Sequence, residues 1–197
     1  SRQDTKLVYL ARHGQTGLNA GGYIRGRANP PLDETGLAEA RALAAFLATK
    51  QPVAVISSPL QRAVETARFV AQSVEVTPTI DERFNDRDYG QWTGRSEVEV
   101  IEQWGSIDMA PGVESASAVL SRVRPALDDV ADAAVGPVVI VTHDAVIRPL
   151  IMALVPTITD LQEPTGCWNR LVRSNGLWTV RATGQKPETE PHDPSPR

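Results

Sequence analysis

One cysteine in 197 residues leaves Cys167 without a partner for an internal disulfide, and one thiol cannot build a thiolate metal site. That scarcity fits a reducing compartment, so a cytoplasmic location is expected. No apolar run approaches the roughly 18–20 residues needed to cross a bilayer, which argues against a membrane partner. The opening residues, SRQDT, carry no apolar signal core and no methionine, which leaves a removed leader open. Positive charge is not in excess: 20 Lys and Arg stand against 24 Asp and Glu, a formal charge of −4. Nucleic acid is therefore not the expected partner, because phosphate-backbone binding needs a basic face. No GxSxG stretch occurs, and Ser57-Ser58 precede a proline helix start, so a serine hydrolase is poorly supported. What is present is ordinary: 41% hydrophobic residues exclude a wholly disordered chain, and the length suits one domain with a real core.

KLVYLA at 6–11, VAVIS at 53–57 and VVIVT at 138–142 are short β-branched-rich runs with few charges, the pattern of buried parallel strands. Between the first two, Leu37, Ala40, Leu43, Ala44 and Leu47 follow helical spacing. Residues 59–72 read as a second helix with Pro59 in its first turn. A long apolar stripe spans 114–134, with a kink or break expected at Pro125. A further helix follows His143, from about 145 to 154. CWNRLVRS and GLWTVRAT, separated near Asn175-Gly176, predict a closing hairpin. Residues 1–183 are expected to form the single domain. From 184 to 197 the chain runs into QKPETEPHDPSPR, too poor in apolar surface to fold, and a disordered tail is expected. Strand–helix alternation predicts an α/β fold with a mainly parallel central sheet.

Two of the predicted strands end in histidine, KLVYLARH and VVIVTH, so a parallel sheet would set His13 and His143 on the same edge. Ligands of such sheets bind beyond the carboxyl ends of the strands. Arg12 adjoins His13, Arg62 falls in the first turn after VAVIS, and Arg25 lies in the loop GGYIRGRANP. Guanidinium groups match phosphate oxygens in pairs, so the set suggests a phosphoryl group held by cations and attacked by an imidazole. Each residue alone has a plainer reading: a histidine after a strand is usually structural, and an arginine early in a helix is usually solvated. Two histidines with Asp144 also offer metal-type ligands, although the nearby arginines would repel a cation. A phospho-ligand binding module without catalysis is the non-enzyme alternative.

ARHGQT followed by Asn19 resembles the signature of the histidine phosphatase superfamily, the phosphoglycerate-mutase-like proteins. IRGRANPPLDETG is similar to its "PLTexG" segment, SSPLQRAVETA to "SxLxRAxxTA", and DERFNDRDYGQWTG to "ExxfGxWeG". APGVES is similar to "PxGES" and VTHDAVIR to "vsHgxxxr". The six motifs occur in family order over about residues 5–180. The resemblance implies a three-layer α/β/α fold and a phosphomonoester hydrolase working through a phosphohistidine on a small phosphorylated metabolite, with no metal and no cofactor. It implies His13 as the nucleophile, with Arg12, Arg62 and His143 around the phosphate. Asn19 matches a supporting position, and Arg25 and Gly26 match the loop that approaches the phosphate. Family members often have Gln or Thr where this chain has Arg25.

A neutral imidazole attacks, and its other nitrogen is expected to donate to a backbone carbonyl near Gly14, a residue expected to allow a tight turn. His143, if protonated, would stabilise charge on the phosphoryl oxygens. The leaving alkoxide needs a proton. Counting back from Tyr89-Gly90, Asp86 stands where the family usually has glutamate, one methylene longer; Asp144 competes, because distant members use a His-Asp pair. Asp86 is the preferred acid. A phosphoglycerate-mutase-type transfer is the alternative, but only GSIDM separates Trp104 from APGVES, too little sequence to close the site. For the rim the candidates are Tyr23, Tyr89, Trp92, Trp104, Met109 and Trp168, with Trp92 and Trp104 expected in the core. Arg25, Arg27, Arg83, Arg87 and Arg95 are candidates for a second anionic group. Nothing in the pattern assigns an oligomeric state.

Overall fold

All five residues of VVIVT are buried, on both faces of the strand they form, which requires a central position between layers. A computed structural model describes residues 5–187 and places this strand, β4 (Val138–Thr142), in the middle of a six-stranded sheet. The strands are β1 (Lys6–Arg12), β2 (Ala54–Ser57), β3 (Thr79–Ile80), β4, β5 (Trp168–Ser174) and β6 (Leu177–Gln185). Their order is β3-β2-β4-β1-β5-β6. The first four in that order run parallel, and β5 and β6 are antiparallel, so the sheet is mixed with a parallel centre.

Among the described residues five α-helices flank it: α1 (Glu34–Ala48), α2 (Gln61–Ser73), α3 (Glu97–Trp104), α4 (Ala116–Ala133) and α5 (Asp144–Leu154). Alternate residues of β1 and β4 serve opposite layers. Val8, Leu10, Val138 and Ile140 pack with α4 and α5, while Tyr9, Ala11, Val139 and Val141 pack with α1 and α2. A smaller cluster of Ile24, Trp92, Val100 and Ala110 joins the 24–28 loop to α3, beside the strand ends. Among the described residues no helix is long and apolar enough to cross a membrane.

Four expectations change. Helix α4 runs unbroken through Pro125. An interior proline costs about 3 kcal/mol, and burying Val119, Val123, Ala126, Leu127 and Ala131 on one stripe outweighs it. Trp168 is fully buried, stacked on Phe46 at 4.7 Å, and takes no part in the rim. Trp104 is instead 38% exposed, its ring meeting Trp92 edge-on. Strand β6 continues through Gln185, and Lys186 Nζ bonds Glu39 at 2.9 Å, so residues 184–187 belong to the folded part. The rest of the expected tail, 188–197, lies outside the described residues. The hairpin turn is as the dipeptide predicts: Asn175 (φ 53°) and Gly176 (φ 77°) both take positive φ.

Candidate active site

Three neighbouring parallel strands deliver their next residues to one edge. His13 follows β1, Ser58 follows β2, and His143 follows β4, between them. The edge is tied across the strands: His13 N donates to Thr142 O at 3.2 Å and Ser58 N to Val141 O at 3.0 Å. The rings of His13 and His143 come to 5.0 Å between centroids, both side chains buried.

His13 is held by its two nitrogens differently. Nδ1 lies 2.7 Å from Gly14 O, and Nε2 lies 3.2 Å from Arg62 Nε. A proton on Nδ1 donates to the carbonyl, which leaves the Nε2 lone pair to accept from Arg62 Nε. Burial, then His143, Arg62 and Arg12, hold the His13 pKa well below the ordinary histidine value, so the ring is neutral. Gly14 is required for a reason other than a turn: a Cβ there would overlap the Gly36 backbone at the start of α1. Gly14 N donates to Thr66 Oγ1 at 3.1 Å, and Gln15 Nε2 to Asp33, the N-cap of α1, at 3.0 Å. The loop after β1 is thereby clamped between α1 and α2.

Arg62 is the hub. Beyond His13, it donates to Ala28 O at 2.6 Å, Gly26 O at 2.8 Å and Asp86 Oδ2 at 2.8 Å. Gly26 takes φ +47°, and a Cβ there would strike the Tyr89 ring. Arg12 donates to Glu163 O at 2.6 Å, while its buried Nε has no partner among the described residues. Arg25 lines the same cleft, and no hydrogen bond to its guanidinium is found among the described residues. Asn19 lies in the helical turn at 17–20, and its side chain is outside the described part. The remaining arginines are engaged elsewhere: Arg27 with Asp86 O, Arg87 with Asp108, Arg83 with Asp81 and Asp129, and Arg95 over the Trp92 ring. Among the described residues no group of three or more His, Cys, Asp or Glu is arranged to hold a metal ion.

The two aspartates sit differently. Asp86 is 7% exposed, accepts from Arg62 and from Arg87 N, and lies 3.4 Å from His143 Nδ1. Its loop is fixed by Arg122 of α4, which donates to the carbonyls of Arg83, Asn85 and Asp86. Burial raises the Asp86 pKa, with the Arg62 charge opposing. Asp144 opens α5 at the cleft mouth, half-buried and paired with Arg148 at 3.1 Å. Burial and then Arg62 and Arg12 hold His143 well below its ordinary pKa, so it is neutral rather than protonated.

Sequence reasoning passed over three residues here. Ser58 Oγ lies 2.6 Å from His143 Nε2 and accepts from Leu60 N at 3.3 Å. In the tautomer where the hydroxyl donates to Nε2, the His143 proton sits on Nδ1, 3.4 Å from Asp86 Oδ2. Thr66 sits one helical turn after Arg62, and that spacing was the available signal. Glu163 is 3% exposed behind Arg12; its Oε2 accepts from Cys167 Sγ and Asn169 Nδ2, and Oε1 has no partner among the described residues. No local pattern marks it, because the loop is brought to β1 only by the sheet.

Burial pushes the Glu163 pKa up to about 7. A carboxyl raised above its unfolded value of about 4.3 favours folding while protonated, and that contribution is lost as pH rises through about 7. Glu163→Gln, which keeps the neutral shape, is expected to raise stability at pH 8 by about 3 kcal/mol and to change it little at pH 4. Thermal unfolding at the two pH values reads this; an equal change at both would assign the effect to altered contacts.

A sequence model described as the histidine phosphatase superfamily (branch 1) matches residues 8–186. The chain is 35% identical over 158 residues to a bifunctional protein of Mycobacterium tuberculosis, a match covering 75% of this chain and 43% of that protein. It therefore spans less than half of that relative's length. It is 30% identical over 193 residues to the glucosyl-3-phosphoglycerate phosphatase of Mycobacterium tuberculosis, covering 88% of this chain and 83% of the relative. A solved structure of mycobacterial glucosyl-3-phosphoglycerate phosphatase with VO3 superposes with a TM-score of 0.80 at 26% identity, over 91% of this chain and 98% of that one.

Proposed function

The chain belongs to the histidine phosphatase superfamily, and from that membership we propose that it hydrolyses a small phosphomonoester through a phosphohistidine on His13. Relatives named as phosphatases support a hydrolase of this superfamily. The observation that carries the two-step reading is the division of labour within one buried ring: Nδ1 engaged with Gly14 O and Nε2 an acceptor held by Arg62 Nε, with burial and the neighbouring cations keeping the ring's pKa low.

In the first step the His13 Nε2 lone pair attacks phosphorus, forming N–P as the P–O bond to the alcohol breaks. Arg12 through its unpartnered Nε, Arg25, and His143 through Nδ1 take the phosphoryl oxygens, whose charge is best stabilised by preorganised donors. Asp86 passes its proton to the leaving alkoxide. In the second step water attacks phosphorus, the N–P bond breaks, and the Asp86 carboxylate takes the proton from that water. The cleft opens to solvent, which favours water over return of the phosphoryl group to a product.

Asp86 is assigned as the acid because it is buried within reach of both Arg62 and His143, whereas Asp144 is committed to Arg148. Asp86→Asn is expected to lower kcat/KM about 10²- to 10³-fold for alkyl phosphates. The loss should be far smaller for 4-nitrophenyl phosphate, whose leaving group needs little protonation. Equal losses on both esters pass the role to Asp144 or to neither. The pH profile has a matching sign. Activity falls on the acid side as His13 protonates, below the ordinary histidine range, and on the alkaline side as Asp86 ionises. Asp86→Asn removes the alkaline limb.

A further inference from the structure

The cleft at His13 does not end at its mouth. Tyr89, Asp144 and Ala145 line it on one side and on the other line a second groove of about 280 Å3. The second groove runs along α5, where Ala145, Pro149 and Met152 fall on one exposed helical face, and reaches Ala116 at the start of α4. Met152 is 48% exposed, so a large apolar side chain faces solvent beside the cleft.

Two arginines flank the groove, and both have their charged ends committed. Arg148 donates to Asp144 at 3.1 Å and to Leu161 O at 2.7 Å. Arg87 donates to Glu114 O at 2.5 Å and to Asp108 at 2.7 Å, and its guanidinium lies over the Tyr89 ring at 5.2 Å. What they offer the groove is their methylene stems. The first cleft is small, about 180 Å3 against the roughly 300–1,000 Å3 typical of whole-ligand sites, so it accommodates a phosphoryl head but little else.

We propose that this second groove seats the alcohol half of the substrate and takes an uncharged apolar chain or ring rather than a second anionic group. The inference rests on the phosphatase reading, in which the phosphoryl group sits at His13 and the alcohol leaves through the shared mouth. Continuity through Tyr89, Asp144 and Ala145 links the two spaces, and the absence, among the described residues, of an uncommitted cation along the second decides its chemistry. The substrate class is thereby narrowed to phosphomonoesters of extended apolar alcohols.

Alkyl phosphonates test the groove without requiring turnover. Calorimetric titration of the chain with methyl, ethyl, propyl and butyl phosphonate is expected to show Kd falling about twofold to fourfold per methylene. A carboxyl-tipped propyl phosphonate is expected to bind no better than methyl phosphonate. Met152→Asp and, independently, Ala116→Glu should flatten the dependence on chain length, while Met152→Leu keeps it. A flat series in the unsubstituted chain, or tighter binding of the carboxylated ligand, overturns the proposal. Hydrolysis of 4-nitrophenyl phosphate by the same samples separates the two readings. Rising affinity without hydrolysis overturns the phosphatase reading and leaves the groove; hydrolysis with a flat series overturns the groove alone. Failure of every phosphonate to bind overturns both.

Discussion

Replacing His13 with alanine is expected to lower kcat on 4-nitrophenyl phosphate by about 10⁴-fold or more and to abolish an acid-labile phosphoenzyme trapped by rapid quench. The size of the effect follows from the absence of a substitute. The other ring at the site, His143, has its Nε2 bonded to Ser58 at 2.6 Å and sits 5.0 Å away between centroids. In the tautomer where Ser58 donates to Nε2, its remaining nitrogen carries the proton and has no lone pair to offer. The arginines around the cleft are cations at any working pH and cannot attack phosphorus. The fold should survive, because His13 contributes only a hydrogen bond to Gly14 O and one from Arg62, worth about 1 kcal/mol each. His13→Gln serves as the companion, since it preserves volume without a nucleophilic nitrogen. A phosphohistidine that persists in both variants would move the nucleophile to His143.

Arg62→Ala is expected to fail on two counts, activity and stability. Its guanidinium is 1% exposed and satisfies four acceptors, among them the buried Asp86 carboxylate. Removing one partner of a buried ion pair costs about 3–5 kcal/mol, because the other charge is left uncompensated. The cost depends on pH in a defined direction. Without Arg62, the chief opposing charge is gone and the Asp86 pKa rises further above its unfolded value. The variant should therefore come closest to the parent at low pH, where Asp86 is neutral, and lose stability as pH rises. Arg62→Lys restores a charge but not the planar fork that reaches Gly26 O, Ala28 O and Asp86 together. It should recover part of the stability and little of the activity, about 10³-fold below the parent. Thermal unfolding at pH 5 and pH 8, with kcat/KM alongside, separates these outcomes. A pH-independent loss in Arg62→Ala, or full activity in Arg62→Lys, would remove Arg62 from its place at the centre of the site.

What the amino-acid order determined by itself is substantial. The runs KLVYLA and VVIVT specify strands buried on both faces, and such strands must lie parallel in the middle of a layered sheet. With the two runs adjacent and parallel, Arg12 pairs with Thr142, and the histidines that follow have to share an edge. His13, His143 and Arg62 were legible for that reason, and Asp86 through its spacing from Tyr89-Gly90. Period and position in a local pattern carry this much, because they depend only on neighbours along the chain.

Everything that depended on distant partners was decided by the tertiary structure. Pro125 forecasts a kink or break from its own backbone, yet α4 is not broken there, because one face is buried against the sheet. Trp168 and Trp104 exchange their expected places, since an aromatic residue carries no mark of which layer will cover it. Gly14 is required by Gly36, 22 positions on, and not by its own turn. Between Asp86 and Asp144 composition does not choose, and the spacing from Tyr89-Gly90 favours Asp86. The proposed assignment to Asp86 is supported by Arg122 fixing its loop from α4, by Arg148 engaging the Asp144 carboxylate, and by burial that raises the Asp86 pKa. Local periodicity specifies the edge; long-range contacts, which alone set burial and charge, specify what each residue there can do.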